Sequence, residues 1–391
     1  MAEAPPSLRT ALALGLAAAV SLGLARFAYA LLLPAMRADL HWSYFTAGAM
    51  NTVNAAGYLA GALLAPRVLA HYDARRVMLA GGWAAGLLLM AHGLVRGETA
   101  LFTLRALTGL ASAAGFVGGG LLAARLATQP GARAGLVLGL YYGGTGLGIF
   151  VAALGVPPLS WPQAWGLIGG LALLANAITE LGTRGLAAPP QRGAPRVHLS
   201  LRPYAFGLAG YAMFGVGYIG YMTFIVTLLR EQGLAAPLIT AFYALLGVGV
   251  VASSWLWAGL LQRHRNGLPL ALLNGLLAIA TALPVLSHHP LAVFASGALF
   301  GSVFLSLVAS TTALVRHNAA PAEWASGIAA FTVVFAAGQI VGPSLVGRVA
   351  DGPGGLTRGL AVSAALLALG SLLALRQGAP GTAGRAGDSS P

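Results

Sequence analysis

Residues 21–40 read SLGLARFAYALLLPAMRADL. Leucine, alanine, glycine and aromatics fill most of the stretch, yet Arg26 sits inside it with apolar residues on both sides. A guanidinium keeps its charge at any ordinary pH. On a helix surrounded by lipid, that charge has to be answered by an anion, by backbone carbonyls or by polar side chains. The stretch therefore reads as a membrane-spanning helix carrying one cation in need of an explanation.

Composition extends this reading to the whole chain. Of 391 residues, 58% are hydrophobic and 8% charged, where soluble domains carry roughly 25% charged residues. The 55 glycines suit helices that pack closely in lipid. Cysteine is absent, which excludes disulfides, thiolate metal sites and a cysteine nucleophile. The net charge of +13 comes from arginine, since the chain has no lysine. Most arginines fall in short loops between apolar runs, where they orient helices and do not signal nucleic acid. Without lysine there is no Walker loop, so ATP-driven transport is disfavoured. His288 and His289 form a lone pair, too few ligands for a metal site. No nucleophile–base arrangement stands out, and no enzyme activity or cofactor is expected. The first apolar run is too long for a signal-peptide core, so it is expected to remain as the first span.

A span needs about 20 apolar residues. Twelve runs qualify: 11–36, 46–69, 77–95, 99–125, 134–156, 162–181, 203–229, 237–262, 268–286, 290–315, 323–347 and 355–376. The fold class expected is an all-α membrane protein with twelve transmembrane helices in two six-helix bundles. Residues 1–181 would form the first bundle, 182–202 a cytoplasmic linker, 203–376 the second bundle and 377–391 a disordered tail. With a cytoplasmic N-terminus, fifteen arginines fall in inside segments and five in outside segments, which places both termini in the cytoplasm by the positive-inside bias.

The halves resemble each other. Arg125 and Pro130 follow span four as Arg316 and Pro321 follow span ten. GLYYGGTGLG from Gly139 and GQIVGPSLVG from Gly338 then recur in the next spans. Such parallel six-helix repeats, twelve spans and a long central loop resemble the major facilitator superfamily. LRALTGLASAAG from Leu104 resembles its fourth-helix motif, with Arg105 and Gly109. In the loop after span two only Arg75 and Arg76 fit the superfamily signature; His71 stands where an aspartate is expected and Ala74 where a glycine is expected. More narrowly, GLARFAYALLLPAMRADLHWSYFTAGAMNTVNAAGYLAGALLA resembles the YbfB/YjiJ family in its RFAY…LLP.M pattern and its N…N..GY second helix. The resemblance implies transport, with the first, fourth, seventh and tenth helices lining a cavity.

Arg26 lies about ten residues, roughly 15 Å, from the outer end of span one, and Arg105 lies nearer the outer end of span four. Intramembrane charges face a bundle interior or a wet cavity, so both are substrate-site candidates, with snorkelling or carbonyl bonding the competing role for Arg105 and a structural network that for Arg26. The nine acidic residues all lie in tails, loops or near span ends, so none matches Arg26 in depth. Helical spacing adds Tyr29 beside Arg26, and Asn51, Asn54 and Tyr58 along one face of span two. Asn54 and Tyr58 have a packing alternative, since Gly57 and Gly61 form a GxxxG beside them. Tyr141, the aromatic stripe through Tyr218, and Phe331, Phe335 and Gln339 complete the candidates; Asp39 and Glu180 are the coupling or gating candidates. The expected function is secondary active transport, symport among its forms, of a small carboxylate-type anion across a bacterial inner membrane by alternating access, the protein being a monomer in the bilayer. The rivals are efflux of amphipathic drugs by proton antiport, and a non-transporting receptor or scaffold.

Overall fold

The computed structural model describes residues 8–186 and 199–380. Twelve helices follow one another: α1 (Leu8–Asp39), α2 (Tyr44–Leu69), α3 (Ala74–His92), α4 (Glu98–Ala127), α5 (Ala134–Gly155), α6 (Trp161–Gly182), α7 (Ala205–Glu231), α8 (Ala236–Arg263), α9 (Leu268–Leu286), α10 (Pro290–Asn318), α11 (Trp324–Ala350) and α12 (Gly355–Leu375). Their ends fall within about three residues of those expected from hydropathy. Most of the linker and of the C-terminal tail lies outside the described residues. The α2 and α3 helices are of spanning length but less apolar than the other ten. Asn51 and Asn54 dilute α2, and Arg75, Arg76 and His92 dilute α3.

Helices α1–α6 pack into one bundle and α7–α12 into another. Large apolar side chains are exposed on the peripheral helices, among them Leu87 on α3, Leu174 on α6, Ile279 on α9 and Leu372 on α12. Such outward apolar surface is what a bilayer solvates. The α1 and α7 helices, by contrast, are buried along most of their length.

The repeated glycine motifs perform the same task in each half. On α5, a Cβ at Gly144 would strike the backbone of Gly15, and one at Gly148 the backbone of Ala19 and Gly23, so α5 lies directly on α1. On α11, Gly338 lies against the backbone of Gly215 and Gly342 against Val216, so α11 lies directly on α7. The other faces of the same two helices reach across to the opposite bundle. Gly146 of α5 meets the Gly247 carbonyl of α8, while Gly347 and Pro343 of α11 meet Tyr44 and Gly48 of α2. Close backbone approach of this kind is the usual means of association where both helices are already in lipid. The GxxxG of α2 serves likewise: Gly57 meets the Ala106 carbonyl and Gly61 meets Ala113 on α4.

The face opposite Leu8 of α1 and Leu375 of α12, the distal face, is tied shut. Asp351 at the end of α11 accepts the backbone N–H groups of Tyr44 (2.7 Å) and Phe45 (3.0 Å) at the start of α2. The Tyr44 hydroxyl donates to Glu231 at the end of α7. Arg37 stands 3.9 Å from Glu231 and 3.7 Å from the Tyr44 ring centre. Further in, the Thr52 hydroxyl donates to the Ile340 carbonyl at 2.7 Å.

Candidate functional site

The α1 helix widens into a π-helix from Ala19 to Phe27, and Arg26 sits at its end. The Ala28 N–H closes that segment on the Gly23 carbonyl, five residues back, at 2.9 Å. π-segments inside longer helices are frequent at functional sites because they disturb the regular carbonyl ladder. Here the disturbed ladder is used. Arg105 of α4 donates to the Ala25 carbonyl at 2.9 Å and to the Asn51 side-chain oxygen at 2.8 Å, with a longer 3.5 Å approach to the Met50 carbonyl. Tyr29 and Trp165 lie beside its guanidinium, ring centres at 5.0 and 5.7 Å. Asn51 in turn donates to Thr223 of α7 at 2.8 Å, so the network crosses between bundles. Carbonyls and an amide thus answer the Arg105 charge, the second of the two roles open to it.

Arg26 differs. It is only 3% exposed, yet among the described residues its Nε and Nη2 have no hydrogen-bond partner. Among the described residues it enters no ion pair. Its surroundings are aromatic: the guanidinium carbon lies 5.8 Å from the Tyr58 ring centre and 5.9 Å from that of Phe27. Arg26 lies beside Tyr58 of the first bundle and, through its chain neighbour Phe27, next to Phe304 of the second. It therefore stands at the junction of the two bundles. A buried charge without partners costs free energy, and such groups are retained where they have work to do.

The second bundle faces this cation with an aromatic wall. Phe214 stacks on Tyr218 at 4.6 Å and on Phe335 at 5.2 Å, and Tyr218 stacks on Phe304 at 5.3 Å. Phe27, next to Arg26, meets Phe304 edge-on at 5.5 Å. Gln339 donates its amide to the Tyr218 hydroxyl. So Arg26, Tyr58, Tyr218, Phe335 and Gln339 come together.

The other expected site residues take other places. Tyr29 and Asn51 belong to the Arg105 network, Tyr29 giving its hydroxyl to the Ala47 carbonyl at 2.9 Å. Asn54 binds the Arg105 backbone carbonyl at 3.1 Å, joining α2 to α4. Phe331 packs at the far end of the wall against Tyr204 and Tyr211. Tyr141 sits in a packing cluster with Leu14, Met78 and Leu122, its hydroxyl on the Phe116 carbonyl at 2.5 Å. Asp39 pairs with Arg96 of the neighbouring loop at 2.6 Å and accepts the Trp161 indole N–H at 2.8 Å; Arg37 turns to Glu231. Glu180 accepts the Trp83 indole N–H at 3.2 Å. Both acids bond within the first bundle. The carboxylates that join the bundles are Glu231 and Asp351, which sequence position marked only as acids at span ends.

Two six-helix bundles with buried cations between them are the architecture of a major facilitator transporter, and the family match places the chain in that class, a secondary transporter and not an enzyme. Within that class the chain belongs to the family described as "Uncharacterised MFS-type transporter YbfB", whose model matches residues 18–375. No curated protein sequence matches the chain. Among solved structures it is similar to nucleoside transporter NupG, with TM-score 0.71 and 15% identity over 94% of this chain and 97% of that one. It is similar to a variant of peptide transporter POT, with TM-score 0.70 and 17% identity over 94% and 93% of the two chains. The human organic anion transporter MFSD10 aligns with TM-score 0.66 and 14% identity over 95% and 100%. At these identities the likeness concerns the fold.

Proposed function

We propose that the protein carries a small organic monoanion, a carboxylate with an apolar body, by alternating access. The observation that carries this reading is Arg26: a guanidinium buried between the bundles whose Nε and Nη2 have no partner among the described residues. Arg105, the other buried cation, already has acceptors, so the site offers one free positive charge and a monoanion matches it. Tyr58 and the Tyr218–Gln339 pair orient the anion, and Phe304 and Phe335 cover its apolar part. Residues 1–181 and 203–376 rock as two units about the site, joined by the linker at 182–202. The orientation is that set by arginine placement, with both termini cytoplasmic in a bacterial inner membrane and the protein monomeric.

The aromatic wall favours one second reading, efflux of amphipathic drugs. Counterflow in proteoliposomes separates the two. Vesicles holding an aromatic monocarboxylate should take up the labelled compound through the wild type and lose nearly all of that uptake with Arg26→Gln. Carriage of neutral or cationic amphiphiles that survives Arg26→Gln would favour drug efflux. Absence of counterflow with either class would remove both substrate readings.

A further inference from the structure

The π-segment ends on a carbonyl that its own helix gives up. In an unbroken α-helix the Leu31 N–H would bond to the Phe27 carbonyl; here it turns to Ala28, at 3.0 Å. The Phe27 carbonyl is taken by the hydroxyl of Tyr243, donated at 2.8 Å from α8 of the opposite bundle. Tyr243 is fully buried, so water does not compete for this bond. The carbonyl on the other side of Arg26, that of Ala25, is held by Arg105 from within the first bundle. Arg26 therefore hangs between two anchored carbonyls, one fixed to its own bundle and one fixed to the partner bundle.

We propose that Tyr243 is a positioning residue that makes the presentation of Arg26 depend on how the bundles are docked. While α8 is docked on α5 of the first bundle, the Tyr243–Phe27 bond holds the end of the π-segment and aims the guanidinium. Rocking that carries α8 away from the first bundle releases the Phe27 carbonyl, and the segment is then held only from the Arg105 side. A carrier has to bind its cargo unequally in its two states for cargo to shift the equilibrium between them. The bond supplies that inequality at the residue that binds. The proposal rests on the reading of Arg26 as the anion-binding group, and its test keeps the two apart.

The readout is the rate at which phenylglyoxal, an arginine reagent with an aromatic body, modifies Arg26 in the purified full chain, followed by peptide mass spectrometry. Arg105 in the same sample is the internal reference. Tyr243→Phe removes one oxygen and leaves the ring. It should raise the Arg26 rate about fivefold, the scale of one net hydrogen bond, with the Arg105 rate unchanged. Tyr243→His, which keeps a ring donor, should fall between, and it also carries the test if the Phe variant fails to fold. Hydrogen exchange of residues 19–31 should quicken in parallel. An Arg26 rate equal to wild type in the variants overturns the proposal. Protection is scored separately in the wild type: if no monocarboxylate slows Arg26 modification, the substrate reading fails while the positioning result still stands or falls on the variant rates.

Discussion

Arg26 and Arg105 are the same side chain in the same membrane, and they illustrate two ways of holding a charge. Arg105 directs its guanidinium into the Ala25 carbonyl and Asn51. Removing it leaves these acceptors buried and unpaired, at about 1–3 kcal/mol for each. Arg105→Gln should therefore lower the melting temperature clearly, and Arg105→Lys should not restore it, because a point charge does not reproduce the planar fork. Arg26→Gln should melt at or above the wild-type temperature, since it removes a buried charge whose Nε and Nη2 have no partner among the described residues. Thermal unfolding of the three variants in one detergent checks this, and an Arg26→Gln protein that melts well below Arg105→Gln would assign the structural role to Arg26. The sequence placed both arginines inside spans but did not separate their roles. Arg105 and Asn51 are 54 positions apart, and no spacing rule joins residues on different helices.

At the scale of helices, much was legible. Glycine is required wherever two backbones touch, so the motifs at Gly139 and Gly338 marked the helices that pack on α1 and α7 and reach across to the other bundle. The π-widening of α1 was not legible. The same residues are compatible with an α-helix, and the carbonyls it frees are satisfied by Arg105 and Tyr243 from distant helices. Tyr141, which packs against Leu14, Met78 and Leu122, was hard to place for a related reason: α5 is apolar along its length, so its sequence does not tell a packing ring from a site ring. The distal tie was equally hidden, since Asp351 acts on the α2 backbone more than 300 positions away. That tie carries a prediction. A carboxylate accepting N–H groups at a helix start contributes about 1 kcal/mol, whereas the half-exposed Arg37–Glu231 pair contributes little. Asp351→Ala should move the equilibrium toward the distal-open state by roughly fivefold. The chain has no cysteine, so cysteines introduced at the distal ends of α2 and α11 take spin labels with no native thiol to remove first. Distance distributions that match those of the unsubstituted background would show that Asp351 does not latch the distal face.

At the scale of the whole molecule, the question is what drives transport. Asp39 and Glu180 each bond inside the first bundle, and neither touches Arg26. We expect a proton to travel with the substrate or through the substrate–arginine pair, and Asp39→Asn and Glu180→Gln to keep pH-driven uptake in proteoliposomes. Loss of uphill uptake with exchange intact in either variant would make that carboxylate the proton carrier. The central claim, an anion held by Arg26, is tested most directly by melting the purified protein against a panel of organic acids, cations and amphiphiles. Ligand at a hundred times its dissociation constant stabilises the native state by about 2.7 kcal/mol, well within reach of a thermal shift. The account predicts that an apolar monocarboxylate raises the wild-type melting temperature and leaves that of Arg26→Gln unmoved. An equal rise in both proteins, or a rise with cations and neutral amphiphiles alone, would contradict it.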